Sequence, residues 1–184
     1  YVSLQEANAI AVFDLETMAF VDLFSAGLKD YSVPGNGFDP SDEDGAITIL
    51  NYDVIGFNMP DALASFTIGG ETYILTANEG DSRDFDETRV EDLDLDPTAY
   101  PNAAELQAEA ALGRLQAVNT EGDTDGDGDI DQIYAFGGRS FTILDSDGNV
   151  VFDSGDDFEQ IIAAARVPNA FNNDDYVPGE GDPA

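Results

Sequence analysis

The clearest strand pattern in the chain is Gln132-Ile-Tyr-Ala-Phe-Gly-Gly-Arg-Ser-Phe-Thr-Ile-Leu-Asp-Ser-Asp-Gly-Asn-Val-Val-Phe-Asp153. Short apolar runs alternate in it with Gly137-Gly138 and with Ser146-Asp-Gly-Asn149, which have the composition of tight turns. Apolar runs of this length, rich in Ile, Val and Phe and bounded by turn residues, are typical of antiparallel β-strands. We therefore expect successive short strands that form hairpins.

A second series near the start of the chain repeats this pattern. Val12-Phe-Asp14 aligns with Ile143-Leu-Asp145, and Phe20-Val-Asp22 aligns with Val151-Phe-Asp153 at the same offset. A third, partial copy begins at Thr72 and runs to Glu79. Repeated meanders of short strands, each unable to bury its faces alone, are typical of a β-propeller. Chance similarity between hairpins is the alternative explanation.

These features predict an all-β fold that is part of a β-propeller with about three blades. Long acidic loop insertions are expected at residues 30–60 and 80–102, where Pro and Gly punctuate the sequence. One or two short helices complete the prediction. They fall at residues 103–111, after Asn102 as a capping residue, and at residues 157–166.

The predicted domain covers residues 1–168, and residues 169–184 are expected to form a loop or linker. This last segment is rich in Asn, Asp, Gly and Pro, which favour irregular structure. Tyr1 stands inside a strand-like run, so we expect the domain to be an internal segment of a longer chain, packed against the remaining blades of the same propeller.

The composition excludes several kinds of chemistry. The 184 residues contain no His and no Cys, which removes Ser-His-Asp triads, thiol nucleophiles, thiolate zinc sites and disulfides. The ligands that remain are carboxylate, hydroxyl, amide and carbonyl oxygens. This set suits hard cations, above all calcium.

The charge argues against two kinds of partner. There are 39 acidic residues against six basic ones, and the formal net charge is −33. A surface of this sign repels nucleic acid and anionic membranes. No stretch approaches the ~20 apolar residues that span a bilayer, so no direct membrane insertion is expected.

The strongest local motif is Asp123-Thr-Asp-Gly-Asp-Gly-Asp-Ile-Asp131. Alternate acids let a curled loop direct several carboxylates at one cation, and Gly128 permits the sharp turn. Tyr134 stands where an EF-hand has its bidentate Glu, so we expect a calcium loop in a β setting, with Asp131, Glu121 or a remote acid as the missing ligand. A solvated acidic hairpin loop is the alternative. The predicted metal ligands are Asp123, Asp125, Asp127, Asp129 and Asp131.

A second acidic cluster offers Asp39, Asp42 and Asp44. It resembles a calcium loop less closely than the first cluster does. Its candidate role is also metal binding, and a solvated turn is the alternative.

A third cluster follows a strand directly and contains Glu79, Asp81, Arg83 and Asp84. Together these side chains offer metal-binding carboxylates and an arginine that can bind a phosphate oxygen. They are the candidate catalytic residues of a phosphoesterase. The alternative is a network of salt bridges in which Arg83 joins neighbouring loops.

Several of these motifs, in this order, resemble the choice-of-anchor I family of bacterial surface proteins, to which animal mesenchyme-specific cell-surface glycoproteins are related. The resemblance covers nearly the whole chain. It implies a secreted, propeller-like domain at the cell surface; relatives are often labelled alkaline phosphatase. The motifs are Tyr1-Val-Ser-Leu-Gln-Glu-Ala-Asn-Ala-Ile-Ala-Val-Phe-Asp14, Met59-Pro-Asp-Ala-Leu-Ala-Ser-Phe66, Thr76-Ala-Asn-Glu-Gly-Asp-Ser-Arg-Asp84, Gly122-Asp-Thr-Asp-Gly-Asp-Gly-Asp129 and Tyr134-Ala-Phe-Gly-Gly-Arg-Ser-Phe141.

The function we expect is that of an extracellular, calcium-binding and calcium-stabilised domain of a cell-surface or matrix protein, with a structural or binding role. Its expected partners are calcium ions, the remaining blades and other surface or matrix components. One alternative is a metal-dependent phosphoesterase acting at the propeller face. Another is a halophilic surface without specific metal sites, since many Asp and few Lys occur there too.

Overall fold

The computed structural model describes residues 1–42, 44–165 and 171. Its elements are strands β1 Val2–Leu4, β2 Ala9–Asp14, β3 Ala19–Ser25, β4 Leu28–Asp30, β5 Val54–Phe57, β6 Pro60–Ile68, β7 Glu71–Asn78, β8 Glu87–Arg89, β9 Gln116–Val118, β10 Ile133–Phe136, β11 Ser140–Asp145 and β12 Val150–Asp153, and helices α1 Ala103–Leu106 and α2 Asp157–Ala164. Single 3-10 turns lie at Gln5–Ala7 and Val90–Asp92.

In the described part of the chain, the strands form three sheets, none of them closed. Their orders are β1-β2-β3, β4-β5-β10-β9-β8 and β12-β11-β7-β6. All neighbouring strands pair antiparallel except β5 and β10, which run parallel. The expectation of an all-β fold with short helices is confirmed at this level.

The four-stranded sheet is a meander interrupted by a long insertion. Gly69 and Gly70, at φ +64° and +95°, form the tight turn between β6 and β7, since hairpin turns favour left-handed residues. β7 then pairs with β11 from Ser140↔Asn78 to Asp145↔Tyr73. The chain between them, residues 79–139, contributes β8, β9 and β10 to the five-stranded sheet.

The first two copies of the repeat form matching hairpins. Asp14 Oδ1 accepts hydrogen bonds from the backbone N–H groups of Glu16 and Thr17, at 2.7 and 3.0 Å. Asp145 Oδ1 accepts from the backbone N–H groups of Asp147 and Asn149, at 2.9 Å each. For Asp14 these bonds hold the pKa of the carboxyl below its usual range, and for Asp145 the hydrogen bond from the Asn149 side-chain amide, followed by the backbone bonds, does the same. The β-bulges also fall at aligned positions, after Val12 and Ile143.

The third copy does not begin a blade of its own. It forms β7, which pairs directly with β11 of the second copy, so two of the copies share one sheet. The sequence repeat predicted the positions of the strands correctly. It did not predict that β7 pairs with β11, because that pairing depends on contacts across the insertion.

The predicted helices are present in shortened form. α1 ends at Leu106 rather than near residue 111, because the chain folds back and Leu112 N–H donates to the Leu106 carbonyl at 2.9 Å. α2 ends at Ala164. The expected loop or linker at residues 169–184 lies outside the described residues, apart from residue 171.

Among the described residues, the core has one large part and two small parts. One small part contains Ile10, Ile74 and Leu144, and therefore lies between the three-stranded and four-stranded sheets; the other contains Met59, Val118 and Phe136. The large part lies on the five-stranded sheet and the segments that cover it. Its fully buried members include Phe38, Val54, Val90, Leu112 and Ile133.

The five-stranded and four-stranded sheets come together at Gly137, where two segments of backbone are in close contact. This residue has φ +89°, and a Cβ there would overlap the Cα of Gly80 and approach the Glu79 carbonyl to 2.6 Å. Only glycine combines the left-handed backbone with so close an approach. The end of β10 is thereby packed directly against the end of β7.

We expect Gly137→Ala to lower the free energy of unfolding by about 3 kcal/mol or more, because it adds a backbone clash to an unfavourable φ. Gly70→Ala is the matched control: its φ of +95° is similar, but no atom lies within 4 Å of the added Cβ. That variant should lose only about 1 kcal/mol. Urea unfolding followed by circular dichroism measures both, and equal losses would contradict a packing role for Gly137.

Candidate metal centre

The acidic loop between β9 and β10 is closed at its neck by Gly122. The carbonyl of Gly122 accepts hydrogen bonds from the N–H groups of Asp131 and Gln132, at 2.9 and 3.1 Å. Gly122 has φ +105°, and a Cβ there would overlap the Gln132 carbonyl. Residues 123–131 are thus held as a compact loop whose two ends lie side by side.

Two aspartates organise the interior of the loop. Asp123 accepts from the N–H groups of Gly126 and Gly128, at 2.6 and 3.1 Å. Asp131 Oδ2 accepts from both N–H and Oγ1 of Thr124, at 2.7 Å each. Carboxylate oxygens of Asp123, Asp125 and Asp131 lie within 4.8 Å of one another. Three of the five predicted ligands therefore meet at one point.

A second group shares Asp131 and adds a residue from elsewhere in the chain. Carboxylate oxygens of Asp96, Asp129 and Asp131 lie within 4.8 Å of one another. Asp96 is brought there by a parallel bridge between Leu95 and Ile130, in which Asp96 N–H donates to the Ile130 carbonyl at 3.0 Å. Asp131 is therefore common to two sets of three carboxylates.

Asp96 is the site residue that the sequence reasoning missed. It stands at the end of the alternating run Asp92-Leu-Asp-Leu-Asp96, in which the apolar members face the core and the acids face away. That alternation was the one available signal. The alternation predicts that the acids of this run face away from the core. It does not predict which other loop they lie next to.

Asp127 belongs to neither group of three carboxylates. Its Oδ1 accepts from Asp129 N–H at 3.3 Å. Tyr134 stacks on Phe57, with ring centroids 5.5 Å apart, in keeping with its strand position and with a loop that is not an EF-hand.

The hydrogen bonds from Thr124 lower the pKa of Asp131, but the charges of Asp125 and Asp129 are less well compensated. Burial, together with the charges of Asp127, Asp96 and Asp131, raises the pKa of Asp129 to about 6. Asp129 Oδ1 is screened from solvent and has no hydrogen-bond partner among the described residues. The charge of Asp127 likewise raises the pKa of Asp125. Carboxylates that repel one another in this way gain from a bound cation.

The second predicted cluster is engaged by protein groups instead. Asp39 is buried, and it accepts from the N–H groups of Thr48 and Ser41, at 2.9 and 3.3 Å. Asp42 forms a bidentate ion pair with Arg114, with N–O distances of 2.5 and 2.9 Å, and this pair lowers its pKa. Among the described residues, neither group of three clustered carboxylates includes Asp39, Asp42 or Asp44. Metal binding at this loop stays a prediction.

The third cluster is arranged around Arg83. Its guanidinium pairs with both oxygens of Asp86, at 3.0 and 2.5 Å, and donates to the Glu6 carbonyl at 3.2 Å. Glu79 accepts from Gln5 Nε2 at 3.0 Å. These contacts favour the interpretation in which Arg83 joins neighbouring loops. Catalytic roles for Glu79, Asp81, Arg83 and Asp84 stay a prediction.

The fold and this loop define an all-β domain with a carboxylate cluster suited to a hard cation. The family model of the choice-of-anchor I domain matches residues 1–182, and the chain belongs to that family. This membership indicates a domain of bacterial surface-anchored proteins. Comparisons with curated proteins and with solved structures give no match. In the described part of the chain, no helix combines the length and apolarity needed to cross a membrane.

The raised pKa of Asp129 gives the metal-free protein a pH-dependent stability. The folded-state pKa of about 6 lies above the ordinary value of 3.8, so this group's stabilising contribution is present at low pH and is lost as the pH rises through 6. Asp129→Asn should therefore unfold at a higher temperature than the wild type at about pH 7.5 and at nearly the same temperature at about pH 4. Thermal unfolding of metal-stripped protein measures this, and a difference independent of pH would contradict the assignment.

Proposed function

We propose that this chain is an extracellular calcium-binding domain, stabilised by calcium, in a cell-surface protein with a structural or binding role. The observation that carries the proposal is the position of Asp131, whose carboxylate belongs to both clustered groups. Family membership supports the location at the surface. The ligand set, made only of oxygens, supports calcium as the ion.

Calcium at this loop would connect two separate parts of the chain. One group lies wholly within residues 123–131, and the other includes Asp96 from the segment after the second 3-10 turn. Leu95 and Ile130, which bridge these segments, belong to the large core. An ion bound here would hold the loop against the core while it neutralises part of the carboxylate repulsion.

Calcium suits the loop better than magnesium does. Calcium accepts 6–8 oxygen ligands in flexible geometry, whereas magnesium requires near-ideal octahedral geometry and keeps several waters. The loop offers several carboxylates, and its glycines Gly126 and Gly128 lie at an exposed turn with open space around them. Such a loop can adjust its ligand number around a large ion.

Calcium should therefore raise the stability of the wild-type protein, because an ion that binds only the folded state stabilises it by mass action. At about 100 times its Kd the gain is about 2.7 kcal/mol. Asp131→Asn should abolish most of this gain, since Asp131 serves both groups. Asp147→Asn, in the exposed Asp-Gly turn between β11 and β12, is the matched control and should respond as the wild type does.

The experiment combines calorimetric titration of calcium with thermal unfolding at low ionic strength. Micromolar calcium and high concentrations of sodium chloride are compared in parallel. A general halophilic surface predicts that sodium restores stability as well as calcium does. No calcium-dependent shift, or an equal shift in the Asp131→Asn variant, would contradict calcium binding at this loop.

We also propose that the chain forms part of a β-propeller whose remaining blades cover its outer faces. The four-stranded antiparallel sheet has the strand number of a blade, and it packs through Ile74 and Leu144 on Ile10 and Phe24 of the three-stranded sheet. The outer strand β3 exposes Phe20 and Leu23, whose relative exposures are 65% and 62%. Apolar side chains exposed along one strand are typical of an interaction surface.

In the full-length protein, Leu23→Asp should then lower the free energy of unfolding by about 2 kcal/mol or more, because it would place a charge in a covered apolar interface. Leu15→Asp, at the β2–β3 turn where Leu15 is 80% exposed, should change it by less than about 0.5 kcal/mol. Denaturant unfolding of the full-length chain measures both variants. If Leu23→Asp left the free energy of unfolding unchanged, this would contradict the proposal that other blades cover β3.

A further inference from the structure

Half of the chain's basic residues line a single cavity. The sequence has five arginines and one lysine, and Arg89, Arg114 and Arg139 all lie in the wall of a cavity of about 670 Å³. A volume of this size is within the range of small-molecule sites. None of the lining residues belongs to the acidic loop at residues 123–131. Arg89, Arg114 and Arg139 come from three separate segments of a strongly acidic chain. Calcium binding does not explain why they lie together.

Two of these arginines are fixed by protein partners. Arg114 is held by the bidentate pair with Asp42. Arg139 donates to Glu159 Oε1 at 2.8 Å and to the Asp39 carbonyl at 2.9 Å, and its guanidinium lies over the Phe38 ring, 5.4 Å from the centroid. The two arginines therefore bind residues on either side of Pro40, namely Asp39 and Asp42.

Arg89 differs from the other two. It ends β8 and is half-buried, and its Nη1 donates to the carbonyl of Arg114. Within residues 1–42 and 44–165, it forms no ion pair with a carboxylate. A guanidinium has five N–H donors, so most of its hydrogen-bonding capacity is left for a ligand oxygen in the cavity.

The lining of the cavity also offers acceptors besides Asp42, which is paired with Arg114. Glu79 and Asp81 line it, and both are exposed. Their charges repel a bare inorganic anion, but their oxygens accept hydrogen bonds from hydroxyl groups. Gln116, also in the lining, has an amide that donates and accepts. The chemistry that satisfies both the guanidinium and these acceptors is an oxyanion on a molecule rich in hydroxyls.

We propose that this cavity binds an acidic sugar, with its carboxylate on Arg89 and its hydroxyl groups on Glu79 and Asp81. Arg89 provides a planar pair of donors that matches a carboxylate. Arg114 and Arg139 are paired with Asp42 and Glu159, so their charges are largely compensated, and among the described residues Arg89 supplies the free cation of the site. The site is independent of the calcium loop, so either proposal can fail without the other.

The probe is glucuronic acid, titrated into isotope-labelled protein at constant calcium and followed by amide chemical shifts in NMR. Glucose and inorganic sulfate are titrated in parallel, because each offers only half of the chemistry. The wild type should bind glucuronate more tightly than sulfate and should show no binding of glucose. Shifts should centre on Arg89, Gln116 and residues 79–81.

Three variants separate the proposal from its alternatives. Arg89→Gln should weaken glucuronate binding by about tenfold or more, since it removes a charge-assisted pair. Arg89→Lys keeps the charge without the planar fork and should fall between that variant and the wild type. Glu79→Gln should weaken glucuronate binding but strengthen sulfate binding, because it removes a repelling charge.

The proposal is overturned if glucuronate causes no shifts, if sulfate binds as tightly as glucuronate, or if Arg89→Gln leaves the affinity unchanged. Tighter binding of glucuronate by Glu79→Gln would also overturn the proposal. In that case Glu79 would only repel the anion and would not accept hydrogen bonds from its hydroxyl groups. Unfolding curves show whether each variant is folded. If Arg89→Gln does not fold, the Arg89→Lys and Glu79→Gln variants still test the proposal.

Discussion

The turn Gly137-Gly138 is the constraint on which the rest of the structure depends. The only lysine of the chain, Lys29, is 4% exposed, and its ammonium donates to the carbonyls of Gly138 and Gly155 at 2.9 and 2.5 Å. Tyr31 Oη donates to the Gly137 carbonyl at 2.8 Å. Burial lowers the pKa of Lys29, while the nearby charges of Asp153, Asp156 and Glu159 oppose this effect. A charge kept in the interior by carbonyls and carboxylates binds β4 of one sheet to the turn that leads into β11 of another.

The same turn positions the two candidate sites. Immediately after it, Arg139 has a left-handed backbone at φ +49° and extends toward Asp39 and Glu159, where it forms one wall of the cavity. Before it, β10 begins at the neck of the acidic loop. The long insertion between β7 and β11 therefore contains the acidic loop and the three arginines of the cavity. Pro40 and Asp42 complete the cavity wall from the segment before β5.

The sequence contained the local part of this account and little of the long-range part. The turn after Asp145 and the alternation of Asp123, Asp125 and Asp131 depend on neighbours within a few residues, so local pattern predicted a tight turn at the first and an acidic loop at the second. The partnership of Asp96 with Asp131, and of Arg114 with Asp42, depends on segments far apart in the chain. The same is true of the third copy, whose strand was predicted but whose pairing with β11 was not. Contacts closed across long loops are set by packing of the whole domain, which a local pattern does not specify.

The net charge of −33 thus has two components in this structure. One is spread over the exposed turns, and the other is concentrated where the carboxylates of residues 123–131 face each other and Asp96. The most direct test of the calcium assignment is an anomalous difference map from crystals of the protein grown with calcium. We expect a peak enclosed by the carboxylates of Asp123, Asp125 and Asp131. A map with no peak in this loop, at calcium concentrations that saturate the protein, would contradict the calcium assignment.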